Sequence, residues 1–232
     1  MKIQFLSDLH EKYIDIQPKA DCLALLGDIG DPFTTYYEKF IDNISKKFKN
    51  VFIITGNREY YFRSIPETDE KITSICSKYE NVHFLNNSSV IVDGHLIVGS
   101  TLWTKIDAET ALRINDFNHI RTSTMEFLNV ETHNNIHKKA VEYIEEQSKQ
   151  DLPTIILTHH APIKEMNGNF ENMPLWRAFC SDLSHIQGSI KVWLSGHTQK
   201  VMRINKNGIV YASNCMGFKR HQDFKENSVI EL

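Results

Sequence analysis

Aspartate, histidine and asparagine recur in this chain in short polar breaks that directly follow apolar runs. Asp8 and His10 follow Ile3–Leu6, Asp28 follows Cys22–Leu26, and Asn57 follows Val51–Thr55. His159 and His160 follow Thr154–Thr158, and His197 follows Lys191–Ser195. Any one of these residues reads as a cap or a satisfied core group. The same residue types at five separate run ends read as a ligand set. Carboxylate, imidazole and amide oxygen without thiolate suit Mn, Fe, Zn or Mg. Two such ions held roughly 3.5–4 Å apart need a bridging carboxylate, neutral imidazoles and oxygen ligands, and together they can generate a hydroxide at neutral pH. Gly27, Gly56 and Gly196 stand just before Asp28, Asn57 and His197, where the backbone must turn sharply to aim the next residue.

The elements that must position these residues are legible from their periodicity. Ile3–Leu6, Cys22–Leu26 and Val51–Thr55 are too short for stable helices and rich in strand formers, so they read as buried strands. Between them, Tyr36–Phe48 places Tyr37, Phe40, Ile41, Ile44 and Phe48 at helical spacing, and Glu67–Tyr79 does the same with Ile72, Ile75, Cys76 and Tyr79. Successive β-α units predict a parallel or mixed sheet with helices on its faces. From Val82 the pattern changes to short strands, Val82–Leu85, Val90–Val92 and Leu96–Val98, and Asp93-Gly94 marks a hairpin. A polar, irregular, partly helical segment runs from Trp103 to about His133, followed by a helix from roughly Asn134 to Gln150. Strands are expected at Thr154–Thr158, Lys191–Ser195, Val201–Ile204, Ile209–Ser213 and Ser228–Glu231, and a further helix around Leu175–Ile186. Ligands of open α/β sheets bind beyond the carboxyl ends of the strands, which is where the metal-competent residues fall.

Composition bounds the reading. A length of 232 residues, 41% hydrophobic and 24% charged, is that of one ordinary globular domain spanning 1–232. A net charge of −3 gives no global attraction to nucleic acid or acidic membranes, so nucleic acid is a partner that charge does not indicate. Oligomeric state is not readable. Cys22, Cys76, Cys180 and Cys215 lack paired spacing and read as free thiols, and Met1-Lys2-Ile3 meets polar residues at Ser7-Asp8 with no leader-like run. A cytoplasmic protein without a membrane span is expected. The sequence shows no nucleophile elbow, P-loop or dinucleotide fingerprint.

Ser7-Asp8-Leu9-His10, Gly27-Asp28, Gly56-Asn57-Arg58-Glu59, Thr158-His159-His160-Ala161-Pro162 and Gly196-His197-Thr198-Gln199 stand in the order D-x-H, G-D, G-N-H-E, H-x-x-P, G-H-x-H. In this the chain resembles the calcineurin-like metallophosphoesterases, and Thr101–Thr104, Asn115–Phe117 and Ser213–Phe218 extend the similarity to small members. The resemblance implies a four-layered α/β/β/α sandwich of two mixed sheets flanked by helices. It also implies two divalent ions, one held by Asp8, His10 and Asp28 and the other by Asp28, Asn57, His159 and His197, with Asp28 as the bridge. The expected reaction is hydrolysis of a phosphomonoester or phosphodiester by metal-generated hydroxide, on a phosphorylated small molecule. A catalytically silent binding module, and a nuclease or cyclic-nucleotide phosphodiesterase, are the alternatives.

Two residues depart from the pattern. Arg58 replaces the histidine that in the family contacts phosphate and protonates the leaving group; arginine binds phosphate but does not give up its proton near neutral pH. Gln199 replaces the second histidine of G-H-x-H, leaving the first ion at most an amide oxygen and a weaker site. Reduced activity is expected. Asn57, Arg58 and His160 are expected to touch substrate, with Arg58 and His160 nearest the chemistry.

Overall fold

The computed structural model describes residues 1–12, 14–170 and 175–232. Strands β1 (Lys2–Leu6), β2 (Cys22–Leu26), β3 (Asn50–Ile54) and β4 (Val82–Phe84) pair in parallel, and the C-terminal strand β11 (Val229–Glu231) pairs antiparallel with β1. The second sheet runs in the order β5-β6-β7-β8-β10-β9. It is built from β5 (Ser88–Val92), β6 (His95–Ser100), β7 (Thr154–Thr158), β8 (Ile190–Ser195), β9 (Val201–Lys206) and β10 (Ile209–Asn214). Its centre, β6-β7-β8-β10, is parallel, and two hairpins supply antiparallel edges. Asp93, with φ +48°, and Gly94 make the turn of the first hairpin, as the Asp-Gly pair predicts.

Strand alternation decides which face meets what. In β2, Cys22, Ala24 and Leu26 point toward the other sheet while Leu23 and Leu25 point away; in β7, Ile155 and Leu157 face inward and Ile156 outward. Inward residues of both sheets form the central core with Phe52, Ile54, Val192 and Leu194. On the outer face of the first sheet lie helices α1 (Thr35–Ser45) and α2 (Ile65–Cys76), through Tyr37, Phe40, Ile41, Ile72 and Ile75. Two one-turn helices, α3 (Ala108–Ala111) and α4 (Asp116–His119), interrupt the irregular segment before α5 (Val130–Gln147). That last helix covers the second sheet through Ala140 and Ile144. The layers are therefore α/β/β/α, as expected. Thr34, Ser64 and Asn129 cap the three long helices, each accepting a backbone N–H three residues on.

One expected element is absent. Residues 175–186 hold a single 3-10 turn, Trp176–Ala178, rather than a helix. Beyond it Ser181 N–H and Leu183 N–H donate to the carbonyls of Ala161 and Pro162, so the segment satisfies part of its backbone against the loop after β7 instead of continuing a helix. Register aligns the carboxyl ends: Leu6 faces Leu25, Leu26 faces Ile54, Ser100 faces Thr158 and Ser195 faces Ser213.

Candidate metal centre

All of the run-end residues meet at this common edge. Asp8, His10 and Asp28 come together as one potential ligand group, and Asp28, His159 and His197 as another, the ligand atoms of each lying within 4.8 Å of one another. Asp8 (φ +56°), His10 (+49°), Asp28 (+55°), His197 (+64°) and Gln199 (+56°) all adopt the left-handed region. That region costs energy for a residue with a Cβ, and strain of this kind clusters at functional sites. Gly27 turns with φ +83° and also lacks room for a side chain, since a Cβ there would lie 2.5 Å from His159 Nδ1; Gly56 is required for space alone, as a Cβ there would lie 2.2 Å from Asp28 Oδ1 and 2.7 Å from His159 Cε1.

The second group is prepared for a cation. His159 Nδ1–H donates to the Leu26 carbonyl at 2.7 Å, and His197 Nε2–H donates to the Ala178 carbonyl at 3.2 Å. The remaining nitrogens, His159 Nε2 and His197 Nδ1, then face each other at 3.1 Å, each with a lone pair. Two acceptors at that distance repel unless a cation lies against both. Burial lowers the pKa of both rings to about 3, His159 further opposed by His10 and Arg58, so neither ring supplies a proton to that contact near neutrality. His159 Nε2 is 3.6 Å from Asp28 Oδ1. Asn57 Nδ2 donates to Asp116 Oδ1 at 2.7 Å, which leaves the buried Asn57 Oδ1 without a partner. Burial, together with the neighbouring charges of Glu59 and Asp8, raises the pKa of Asp28 well above the usual carboxylate range. A buried carboxyl close to two imidazole lone pairs, with an orphaned amide oxygen at the end of the neighbouring strand, fits a divalent ion.

The first group is more heavily engaged. Asp8 Oδ2 accepts from Ser7 Oγ at 2.6 Å and from His197 N–H at 3.0 Å, and Asp8 Oδ1 accepts from Gln199 Nε2 at 2.5 Å. His10 Nδ1 lies 4.0 Å from Asp28 Oδ2, and its buried Nε2 has no partner. Burial is the largest influence on the His10 ring and lowers its pKa to about 4. The ring stacks on Phe218 at 4.1 Å between centroids.

Arg58 sits at the mouth, half-exposed. Its backbone N–H donates to Asp28 Oδ1 at 3.0 Å, its Nε is 3.6 Å from Asp28 Oδ2, and its guanidinium lies over the rings of Phe218 and Tyr61 at 4.4 and 5.3 Å. His160 differs from its expected place in the wall of the substrate pocket. It is 1% exposed, its Nδ1 meets the Thr101 carbonyl at 3.2 Å, and its ring packs on Trp103 and His197. With its ring centroid 4.2 Å from that of His197, His160 backs a candidate ligand.

Sequence reasoning passed over Asp116, Glu59 and Phe218 as working parts of the site. Glu59 was visible within Gly56-Asn57-Arg58-Glu59, but its role appears only in three dimensions: its carboxylate accepts the N–H groups of Asp28, Ile29, Gly30 and Gly56.

A family model of the calcineurin-like phosphoesterases matches residues 1–201. The chain belongs to this family. An uncharacterized protein of Acanthamoeba polyphaga mimivirus is 32% identical over 259 aligned positions, covering 95% of this chain and 92% of the relative. Among solved structures, a phosphopantetheinyl hydrolase of Mycobacterium tuberculosis superposes with a TM-score of 0.69 at 14% identity, covering 94% of this chain and 89% of that one. A dimetal phosphatase of Danio rerio superposes at 0.50 with 11% identity, covering 91% and 86%. At these identities the two structures share the fold of this calcineurin-like phosphoesterase. Family membership makes it, in general terms, a metal-dependent phosphoesterase, and its described residues contain two candidate ligand groups. No described helix is long and apolar enough to cross a membrane.

Proposed function

We propose that the chain hydrolyses phosphoesters of small molecules whose leaving group departs without needing a proton. The observation that carries this reading is Arg58, a guanidinium held against Asp28 where the family pattern has a proton-donating histidine. Asp28, Asn57, His159 and His197 would hold a divalent cation, with Asp8 and His10 beside them. Such a cation supplies Lewis acidity and lowers the pKa of a bound water. Arg58, fixed over Phe218 and Tyr61, binds a phosphate oxygen through its planar donor fork and stays charged throughout. His119, whose ring packs on Tyr61 and Phe62 at 5.0 and 4.7 Å, is a half-buried imidazole beside this aromatic group that belongs to neither candidate ligand group. His160 is buried and unsuited to meeting substrate.

Loss of a positioned acid costs roughly 10²–10⁴ in rate when the leaving group is basic and little when it is acidic. In the manganese-loaded protein, kcat/KM for a series of aryl and alkyl phosphate mono- and diesters should therefore fall steeply as the leaving-group pKa rises. A shallow dependence that steepens in His119→Ala would transfer the acid role to His119 and reject this reading of Arg58. Phosphate binding without turnover of any ester in the series would favour the silent binding module, for which the two departures from the family pattern also speak.

A further inference from the structure

Resting on the metal-centre reading above, the geometry points to a centre that holds one divalent cation tightly, at Asp28, Asn57, His159 and His197. Arg58 and Gln199 take the place of a second ion. The two candidate positions differ in how much of their donor capacity is already spent. At the first, Asp8 gives both oxygens to internal donors: Ser7 Oγ and His197 N–H on one, Gln199 on the other. The orientation of the Gln199 amide follows from chemistry alone. A group 2.5 Å from a carboxylate oxygen has to be the NH₂, because the amide oxygen would face a second acceptor there. A histidine at this position could offer a lone pair to an ion; glutamine offers hydrogens to Asp8.

Arg58 acts on the same position from the other side. Its Nε lies 3.6 Å from Asp28 Oδ2, and stacking on Phe218 and Tyr61 holds it there. An ion bound between Asp8 and Asp28 would lie next to a permanent guanidinium charge, and like charges at close range repel most where burial lowers the dielectric. The guanidinium already compensates part of the negative charge that a second ion would neutralise. His10 Nε2 and Asp28 Oδ2 remain as open donors, enough for loose association. At the other position the His159 and His197 lone pairs and Asn57 Oδ1 are all unspent, and each is aimed by a hydrogen bond at its far end. A phosphate arriving at this centre meets one dication and one guanidinium.

The test is stoichiometry on the intact protein. After loading with excess Mn(II) and gel filtration, elemental analysis should find one ion per chain, and the electron paramagnetic resonance spectrum should be that of an isolated Mn(II) ion. Further Mn(II) should bind at least roughly 100-fold more weakly, because a ligand itself is missing here and loss of only a ligand's outer partner already costs up to that much. Arg58→His combined with Gln199→His should retain two ions with an exchange-coupled spectrum. Two tightly held, coupled ions in the unaltered protein would overturn the proposal, whether or not the double variant folds. His197→Ala, which strips only the occupied position, should retain none; a retained ion would show that the other position is the tight one. A one-ion protein that hydrolyses no ester would sink the proposed function and leave this inference standing. A two-ion protein with activity would do the reverse.

Discussion

At the scale of single residues, Asn57 can ligate a cation only through its Oδ1, and Asp116 decides which end of that amide faces the centre. Asp116 Oδ1 accepts from Asn57 Nδ2 at 2.7 Å and from the Tyr61 hydroxyl at 2.8 Å. Burial raises the pKa of Asp116, and these two donors act against the rise. Asp116→Ala should therefore weaken Mn(II) binding by roughly 10–100-fold, the usual cost of losing an outer partner of a ligand. Asp116→Asn keeps an acceptor oxygen and should lose less. Calorimetric titration checks both, and unchanged affinity in the alanine variant would mean that some other contact orients Asn57. The candidate ligands were legible because each follows an apolar run and also stands within a motif of the family pattern, whereas Asn86, Asp93 and Asn214 follow such runs without forming one of those metal motifs. Asp116 was not, since it lies 59 residues from Asn57 in an irregular segment and only the fold joins them. The carbonyls of Leu26 and Ala178, which fix the two imidazole tautomers, are backbone atoms and leave no mark in sequence at all.

Among elements, the decisive junction is between the ends of β2 and β3. The Glu59 carboxylate accepts the N–H groups of Asp28 at 3.0 Å, Ile29 at 2.6 Å, Gly30 at 3.4 Å and Gly56 at 2.8 Å, so one side chain after β3 holds the whole turn after β2. Glu59 is buried, which raises its pKa, while the four donors pull the other way. In Glu59→Gln an NH₂ would face N–H groups, leaving at least one buried donor without an acceptor at a cost of about 1–3 kcal/mol. Urea denaturation of the metal-free variant should show that loss, and Mn(II) affinity should fall with it because Asp28 loses its fixed position. Stability and affinity both equal to those of the unaltered chain would show that the turn holds itself. The strands were readable because they are short, continuously apolar and punctuated by polar turns, and the long helices because one face repeats. The segment 175–186 misled because its apolar residues are spaced like a helix but are satisfied by the loop after β7, a tertiary choice that local periodicity does not encode.

Across the molecule, the centre lies on the seam between the two sheets. Asp28 and Asn57 extend from β2 and β3 in one sheet, His159 and His197 from β7 and β8 in the other. Between those strands the inner faces meet through apolar side chains such as Ala24, Leu26, Leu157 and Leu194, the His159 imidazole crosses from one sheet to the Leu26 carbonyl of the other, and a shared cation would add to these ties. Without one, the seam holds a buried carboxylate of raised pKa and two imidazole lone pairs at 3.1 Å, an arrangement that opposes closure. A cation bound by residues of both sheets binds the folded chain and not the unfolded one, and at a free concentration of 100 times its dissociation constant it adds about 2.7 kcal/mol of stability. Chelator-stripped protein should melt below the Mn(II)-loaded form by an amount that grows with free Mn(II), and amide exchange should slow on loading at the ends of β2, β3, β7 and β8 together. His197→Ala keeps Asp28 and Asn57 in the first sheet but loses a tie from the second, so its melting point should respond far less to Mn(II). Protection confined to one sheet, or an undiminished response in that variant, would mean that the ion is held by one sheet alone.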